Sequence, residues 1–369
     1  MILTSLSLYL YRLPLDRFLP VGKQRIDHRT GLVLQAKATA DDEVCDTEKF
    51  NIEVADSEVT EGEVKESNVE IAPLSGFDID QQPLSGFSRE SLDEVQQALT
   101  TLLPKLQGQH IDSLLEQAEA SPYPSIAFGL SLLHAKLSGK LNALRPLTTA
   151  VPLIYQPIDA PKAELMAKIA KLDSSVHSVK VKVAQTSMED ELSLIYGILS
   201  QRPDLRLRLD ANRGFSLEQA LDFAACLPLD SIEYIEEPCQ QPQENQTLYR
   251  AIPLPYAFDE SLNDPDYQFV RHEGLTALVI KPMLLGSIEK LQRLIDEAHS
   301  HGVRCILSSS LESSLGINDL AHLAAILTPD EIPGLDTLAA FSQDLIVPSG
   351  KPQCLKPHQL KLVVSTQQD

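Results

Sequence analysis

The sequence has no Cys-x-x-Cys pair. Its five cysteines, Cys45, Cys226, Cys239, Cys305 and Cys354, are odd in number and widely spaced. That argues against a disulfide scaffold or a zinc site, and for reduced thiols in a cytoplasmic protein. No apolar run approaches the roughly 18 residues that cross a bilayer. The opening stretch MILTSLSLYLYRLPL is apolar, but Ser and Tyr interleave with Leu and no small-residue cleavage site follows. It reads as a first strand and not as a signal peptide. Positive charge is scarce: 31 Lys and Arg against 52 Asp and Glu leave a formal net charge of −21. This balance argues against nucleic acid or an anionic membrane surface as partner. A small anionic substrate remains compatible, because a few local cations and a metal dominate a pocket. No obligate protein partner is implied.

What is present is apolar residue, 43% of 369 positions, enough for one barrel and a smaller domain. Residues 1–150 read as strands and then helices. Thr4–Leu13 and Gly31–Ala36 fit a small antiparallel sheet, and Ser88–Leu106, Ile111–Ala118 and Pro124–Leu141 fit helices. Between them, residues 41–70 hold twelve acids against two lysines, and Glu-Val recurs at Glu53, Glu58 and Glu63. A period of five matches neither strand nor helix. The stretch reads as a solvated, mobile insertion, with Phe50–Val54 or Val69–Ala72 as the parts able to extend the sheet. Directly after it, Pro-Leu-Ser-Gly-Phe occurs twice, at Pro73–Phe77 and Pro83–Phe87, as a local duplication in a loop.

From residue 151 to about 340, short apolar runs alternate with amphipathic segments of helix length. The runs are Val151–Tyr155, Val179–Val183, Leu205–Leu209, Ile232–Ile235, Tyr256–Phe258, Ala277–Ile280 and Cys305–Leu307. This is βα repetition, and it predicts an α/β fold with a parallel barrel. A doubly wound open sheet is the alternative, but no GxGxxG follows the first run. The tail, residues 341–369, is expected to pack back on the first domain.

Almost every run ends in a charged residue. Val179–Val183 alternates strictly, so Lys180 and Lys182 share one face, and the next run puts Arg208 and Asp210 on one face. Later runs end at Glu236, Asp259 and Lys281. Barrel chemistry sits at the C-terminal strand ends. Asp210, Glu236 and Asp259 arrive there from successive strands, 26 and 23 residues apart, and Lys281 follows after 22 more. Three converging carboxylates repel one another, and a hard, oxygen-seeking cation such as Mg²⁺ resolves this, with Mn²⁺ as a substitute. Lys-x-Lys alone is usually a solvated edge. Charged groups at five successive strand ends are hard to obtain from surface patterning.

The ordered set LysValLys (180–182), LeuAspAlaAsnArg (209–213), GluGluPro (236–238), AspGluSer (259–261) and IleLysPro (280–282) resembles the enolase superfamily in its muconate-lactonizing-like branch. Within that branch, LRLDANRGF (207–215), YIEEPC (234–239), IKPMLLGS (280–287), LSSSLESSLG (307–316) and IPGLDTL (332–338) are similar to the o-succinylbenzoate synthase family. Dipeptide epimerases of the branch carry an Asp-x-Asp where this chain has Ser308–Ser314. In the first domain Phe18–Arg29 resembles the family's mobile cap loop, and Ile71–Gly76 its EIAPLPGF stretch. The acidic repeat and the doubled segment depart from the family pattern.

The resemblance implies a (β/α)₇β barrel with an N-terminal α+β capping domain. It implies a Mg²⁺-dependent hydro-lyase of menaquinone biosynthesis acting on 2-succinyl-6-hydroxy-2,4-cyclohexadiene-1-carboxylate. In that reading Asp210, Glu236 and Asp259 hold the metal, Lys182 is the base, and Lys281 stabilises the enolate. Lys180 tunes Lys182. Arg208 and Asn212 are candidate supporting residues, with a structural ion pair as the competing role for Arg208. Ser309 is a candidate for the succinyl tail. The alternatives are an N-acyl amino acid racemase or another epimerase using Lys182 and Lys281 as opposed bases, and a non-catalytic scaffold. A scaffold would be marked by a lost lysine or ligand, and none is lost.

Overall fold

The computed structural model describes residues 1–22, 24–40, 64–147, 149–154 and 162–367. The N-terminal part starts with two long strands, β1 (Ile2–Val21) and β2 (Gln24–Thr39), paired antiparallel as a hairpin. β3 (Val64–Ile71) pairs antiparallel with β2. Alternation selects one face for burial: Leu32, Leu34, Ala36 and Ala38 of β2 are fully buried with Val69 and Ile71 of β3. Helices α1 (Leu92–Leu106), α2 (Ser113–Ala120) and α3 (Pro124–Leu137) cover that face. α1 begins in a capping box between Ser91 and Glu94, and its buried positions Val95, Leu99 and Leu103 recur every four residues. α3 is apolar on nearly every side, because it lies between the sheet and the second part of the molecule. Gly129 lets α3 approach β3: a Cβ there would sit 2.4 Å from the Ile71 side chain.

The second part alternates strand and helix. Its strands are β4 (Leu153–Ile154), β5 (Ser178–Lys182), β6 (Arg206–Asp210), β7 (Ile232–Glu236), β8 (Tyr256–Phe258), β9 (Leu275–Ile280) and β10 (Arg304–Leu307). All seven are parallel and neighbour one another in chain order. The helices between them are α4 (Lys162–Ala170), α5 (Met188–Gln201), α6 (Leu217–Ala225), α7 (Asn245–Ala251), and α8 (Pro282–Leu285) with α9 (Ile288–Ser300); α10 (Ser314–Leu327) follows β10. Residues Pro333 and Gly334 join the two edges of this sheet. Gly334 N–H donates to Leu307 O at 2.8 Å, and Val151 N–H donates to Pro333 O at 3.0 Å. The expected fold class, an α/β barrel with an antiparallel-sheet cap, is thus observed. After the barrel come β11 (Asp344–Leu345), β12 (Cys354–Leu355) and β13 (Lys361–Ser365), and β13 pairs with β1.

Two expectations gain detail. Phe18–Arg29, which resembles the family's mobile cap loop, is the end of the β1–β2 hairpin, turning at Gly22. β3 starts at Val64, inside the stretch read as a solvated insertion, because Val64–Ile71 finds backbone partners along the whole far half of β2. The Glu-Val repeat before it lies outside the described residues, as does Tyr155. Cys226, Cys239, Cys305 and Cys354 are free thiols. Among the described residues no helix is long and apolar enough to cross a membrane.

Candidate active site

The ladder register sets the site. Lys182 of β5 pairs with Asp210 of β6, and Asp210 with Glu236 of β7, so three charged residues end at one level of the barrel. Asp259 follows β8 directly, and Lys281 follows β9. Val179, Val181 and Val183 point to the helices and are fully buried, which turns Lys180 and Lys182 inward.

Asp210, Glu236 and Asp259 are buried, and one carboxylate oxygen from each lies within 4.8 Å of the others. Ammonium groups now neutralise them. Lys180 Nζ lies 2.8 Å from Asp210 Oδ2 and 2.6 Å from Glu236 Oε2. Lys182 Nζ donates to Asp210 Oδ2 at 2.7 Å and to Asn212 Oδ1 at 2.6 Å. Lys281 Nζ donates to both Asp259 oxygens at 2.7 Å. Because the three carboxylates lie between β5 and β9, Lys182 and Lys281 flank them from opposite sides.

The electrostatics of this cluster are strained. Burial pushes the Glu236 carboxyl up to about 7, with the Asp210 and Asp259 charges adding to the rise against Lys180. Burial also raises Asp210, but Lys180 and Lys182 more than offset it and hold it below the usual carboxylate range. Burial lowers Lys180 and Lys281, and the facing carboxylates reverse both, leaving each above the usual lysine value. A donor set of three buried carboxylate oxygens that cannot all ionise comfortably fits a small divalent cation with oxygen preference.

Residues just past the strands complete the frame, and sequence reasoning passed over several. Asn212, Arg213 and Glu237 have positive φ (44°, 56° and 38°), the left-handed turn that swings each chain end away from its strand. The buried Glu237 carboxylate accepts Asp259 N–H at 3.2 Å and Ser261 N–H at 2.8 Å, fixing the end of β8. Asn212 Nδ2 donates to Glu260 Oε1 at 2.8 Å, which turns the Asn212 oxygen toward Lys182. Burial, followed by the Asp259 charge, pushes Glu260 up to about 7.

Arg208 is not at this end. It donates to Glu233 Oε2 at 2.9 Å and to Ile332 O at 3.1 Å, within a network that includes Arg304 and Glu331. Glu233 and Arg304 stand at the starts of β7 and β10, so Arg208 belongs to a structural ion-pair cluster at the opposite end of the strands. It does not line the cavity. Ser309 does: its hydroxyl lies 3.1 Å from Thr337 Oγ1 in a wall that also holds Ser308 and Ser310.

The charged cluster opens into a cavity of about 590 Å³. Barrel residues form its floor. The β1–β2 hairpin contributes Asp16–Leu19, Val21 and Gly22, and the doubled segment contributes Leu74 and Phe87. Arg17 and Lys168 add cations away from the carboxylates.

The family model of enolase C-terminal domain-like proteins matches residues 164–349. The o-succinylbenzoate synthase of Haemophilus influenzae is 38% identical over 255 residues, covering 68% of this chain and 75% of its own length. That of Edwardsiella ictaluri is 32% identical over 358 residues, 95% of each chain. Among solved structures, the o-succinylbenzoate synthase of Thermosynechococcus elongatus, with Mg in its active site, superposes with a TM-score of 0.62 at 22% identity. It covers 89% of this chain and 92% of that one. The N-succinyl Arg/Lys racemase of Bacillus cereus superposes with a TM-score of 0.69 at 17% identity, covering 93% and 89%. Likeness at such identity speaks for the fold alone.

Proposed function

The chain belongs to the o-succinylbenzoate synthase family of the enolase superfamily, and from that premise we propose that it dehydrates 2-succinyl-6-hydroxy-2,4-cyclohexadiene-1-carboxylate to 2-succinylbenzoate. The observation that carries the reading is the buried triad Asp210, Glu236 and Asp259, with ligating oxygens within 4.8 Å and a lysine on either side. These three residues would hold Mg²⁺. When bound, such a cation supplies Lewis-acid polarisation of a substrate carboxylate.

The chain's own groups do the rest. The substrate proton to be lost is weakly acidic, because its carbon neighbours a carboxylate that is already negative. Lys182, reacting as the neutral amine, takes that proton at Nζ and becomes the ammonium. Its side chain keeps 29% exposure against 16% for Lys180 and Lys281, so it is the lysine best placed to meet the substrate. Lys281, held charged by Asp259, meets the negative charge that develops on the other side of the ring. Lys182 then returns the proton to the departing hydroxide, which leaves as water, and the ring becomes aromatic. Lys180, locked between Asp210 and Glu236, keeps its charge beside Lys182. Arg17 and Lys168 at the cavity wall offer charge to the second carboxylate, and Ser309 a hydroxyl to the succinyl chain. The pathway would place the protein in the cytoplasm.

The test is the purified protein with the cyclohexadiene acid and Mg²⁺, followed by the new aromatic absorbance. Turnover is expected, lost on dialysis against EDTA and restored by Mg²⁺ or Mn²⁺. Full activity in excess EDTA removes the metal role. Racemisation of an N-succinyl amino acid without dehydration of the cyclohexadiene replaces this reading by the two-base one, which the same flanking lysines would serve.

A further inference from the structure

We propose that the doubled Pro-Leu-Ser-Gly-Phe segment is a clamp that fixes the β1–β2 hairpin tip as a wall of the substrate cavity, with Gln24 as its positioning residue. The inference rests on the proposed reaction for its kinetic readout.

The hairpin tip needs such a support. β1 and β2 pair without a break from Ser5↔Lys37 to Pro14↔His28 and resume only at Leu19↔Ile26. Between these pairs four residues of β1, Leu15–Phe18, face Asp27 alone, so Asp16, Arg17 and Phe18 leave the ladder and reach the cavity. The base of the hairpin is tied to the C-terminal part by the Leu15↔Phe341 bridge and by Ser342 Oγ donating to Pro14 O at 2.9 Å. Beyond this point the ladder between the two strands is short, with the pairs Leu19↔Ile26, Pro20↔Arg25 and Val21↔Gln24 among the described residues.

The doubled segment meets that tip from the other side. Gln24 Nε2 donates to Asp78 Oδ2 and to Pro83 O, both at 2.9 Å, and Gln24 Oε1 accepts Ser85 N–H at 3.0 Å. Ile79 N–H donates to Arg25 O at 2.9 Å. The loop making these bonds has its own order. Asp78 Oδ1 accepts the N–H groups of Asp80 and Gln82 at 2.9 and 2.8 Å, and Leu84 N–H donates to Gly76 O at 2.9 Å. Its base closes where Leu74 N–H donates to Ser88 Oγ at 2.7 Å.

Both copies meet the hairpin tip. Leu74 of the first and Phe87 of the second line the cavity. Leu84 packs under the hairpin with Leu19, Val21 and Ile26, whereas Phe77 is 61% exposed. Phe87 stands against the turn, where a Cβ on Gly22 would lie 3.7 Å from its ring. The second copy meets the hairpin through Pro83, Leu84, Ser85 and Phe87, and Leu74 of the first copy and Asp78 of the spacer complete the contact.

The experiment compares Gln24→Ala, removal of residues 73–82, and the two combined. Gln24→Ala is expected to raise KM about fivefold with kcat within about twofold, since it loosens substrate binding and not the chemistry. Amide exchange at Leu19 and Val21, read without substrate, is expected to quicken about tenfold, as local opening becomes easier. In the shortened protein Gln24→Ala is expected to add less than it does in wild type, because Asp78 is gone while Pro83 and Ser85 remain. Should the shortened protein fail to fold, Asp78→Ala combined with Gln24→Ala carries the same non-additivity test. KM and exchange within about twofold of wild type for Gln24→Ala, or an equal further effect in both backgrounds, overturns the clamp. Because exchange needs no substrate, it judges the clamp even if the proposed reaction fails.

Discussion

Lys182 Nζ donates to two acceptors, Asp210 Oδ2 and Asn212 Oδ1, and neither bond ties it to the packing of the barrel. Truncating it removes a polar end from a partly open cavity and leaves the apolar side of β5, Val179, Val181 and Val183, untouched. Lys182→Ala is therefore expected to lower kcat by at least about 100-fold, the usual share of a general base, with thermal stability and metal affinity retained. Activity within about tenfold of wild type, some 1.4 kcal/mol of barrier, assigns the base elsewhere. At this scale strict alternation made the inward lysines and Asp210 legible, since a strand leaves each side chain only two directions. It could not tell which end of the barrel Arg208 would reach. Nor did it flag Glu237 and Glu260: their partners are backbone N–H groups and an amide brought close by left-handed turns, which spacing does not encode.

At the scale of elements, one contact joins the cap to the catalytic wall. Glu70, near the end of β3, is 1% exposed and sits at the start of α10. Its carboxylate accepts Ser313 N–H at 3.0 Å, Ser313 Oγ–H at 2.5 Å, Gly316 N–H at 3.0 Å and the Tyr11 hydroxyl. An anion at a helix N-terminus meets unpaired N–H groups and the positive end of the helix dipole. Arg29 of β2 completes the joint by donating to Ala72 O, Pro73 O and Leu311 O. The strap so held, Ser308–Leu311, is the serine-rich wall of the cavity. Glu70→Gln keeps the shape but turns an amide donor toward donors. It is expected to cost about 2–4 kcal/mol of unfolding free energy, read by urea titration, because charged buried hydrogen bonds are lost and their partners left unpaired. A loss below about 0.5 kcal/mol would mean that the joint is not carried by the charge. None of this joint was legible beforehand. Residues 41–70 read as an acidic, solvated stretch; Val69–Ala72 is allowed as an extension of the sheet, but Glu70 is one acid among twelve. The helices fared better: the sequence predicts a helix over Ser88–Leu106, and α1 occupies Leu92–Leu106 of it, beginning at Leu92 because Ser91 caps it.

At the scale of the whole molecule, the barrel and its charged end were readable because βα repetition and charged strand ends coincide, and the cap was less so. Its sheet takes strands from both chain ends, β1 with β13, which no local pattern announces. The same sheet bears on the acidic stretch. Thr39 and Val64 are register partners at the open end of the β2–β3 pair. Their chains are thus one strand spacing apart, about 4.8 Å, a gap that a two- to four-residue turn closes. The residues from Asp41 to Glu63 carry ten acids and one lysine, a large part of the net charge of −21. Replacing residues 41–63 by a short Asn-Gly turn is expected to leave the fold intact and kcat/KM within about threefold at 0.15 M salt, where a Debye length near 8 Å screens exposed charge. Shortening the loop costs little, since loop closure changes by only about 0.6 kcal/mol per doubling of length. Circular dichroism, thermal melting and the dehydration assay read the outcome together. A protein that melts far below wild type would place packing contacts in the removed stretch. A protein that folds but turns over far more slowly would give the acidic repeat a part in the reaction, against its reading as a spacer between two strands that already pair without it.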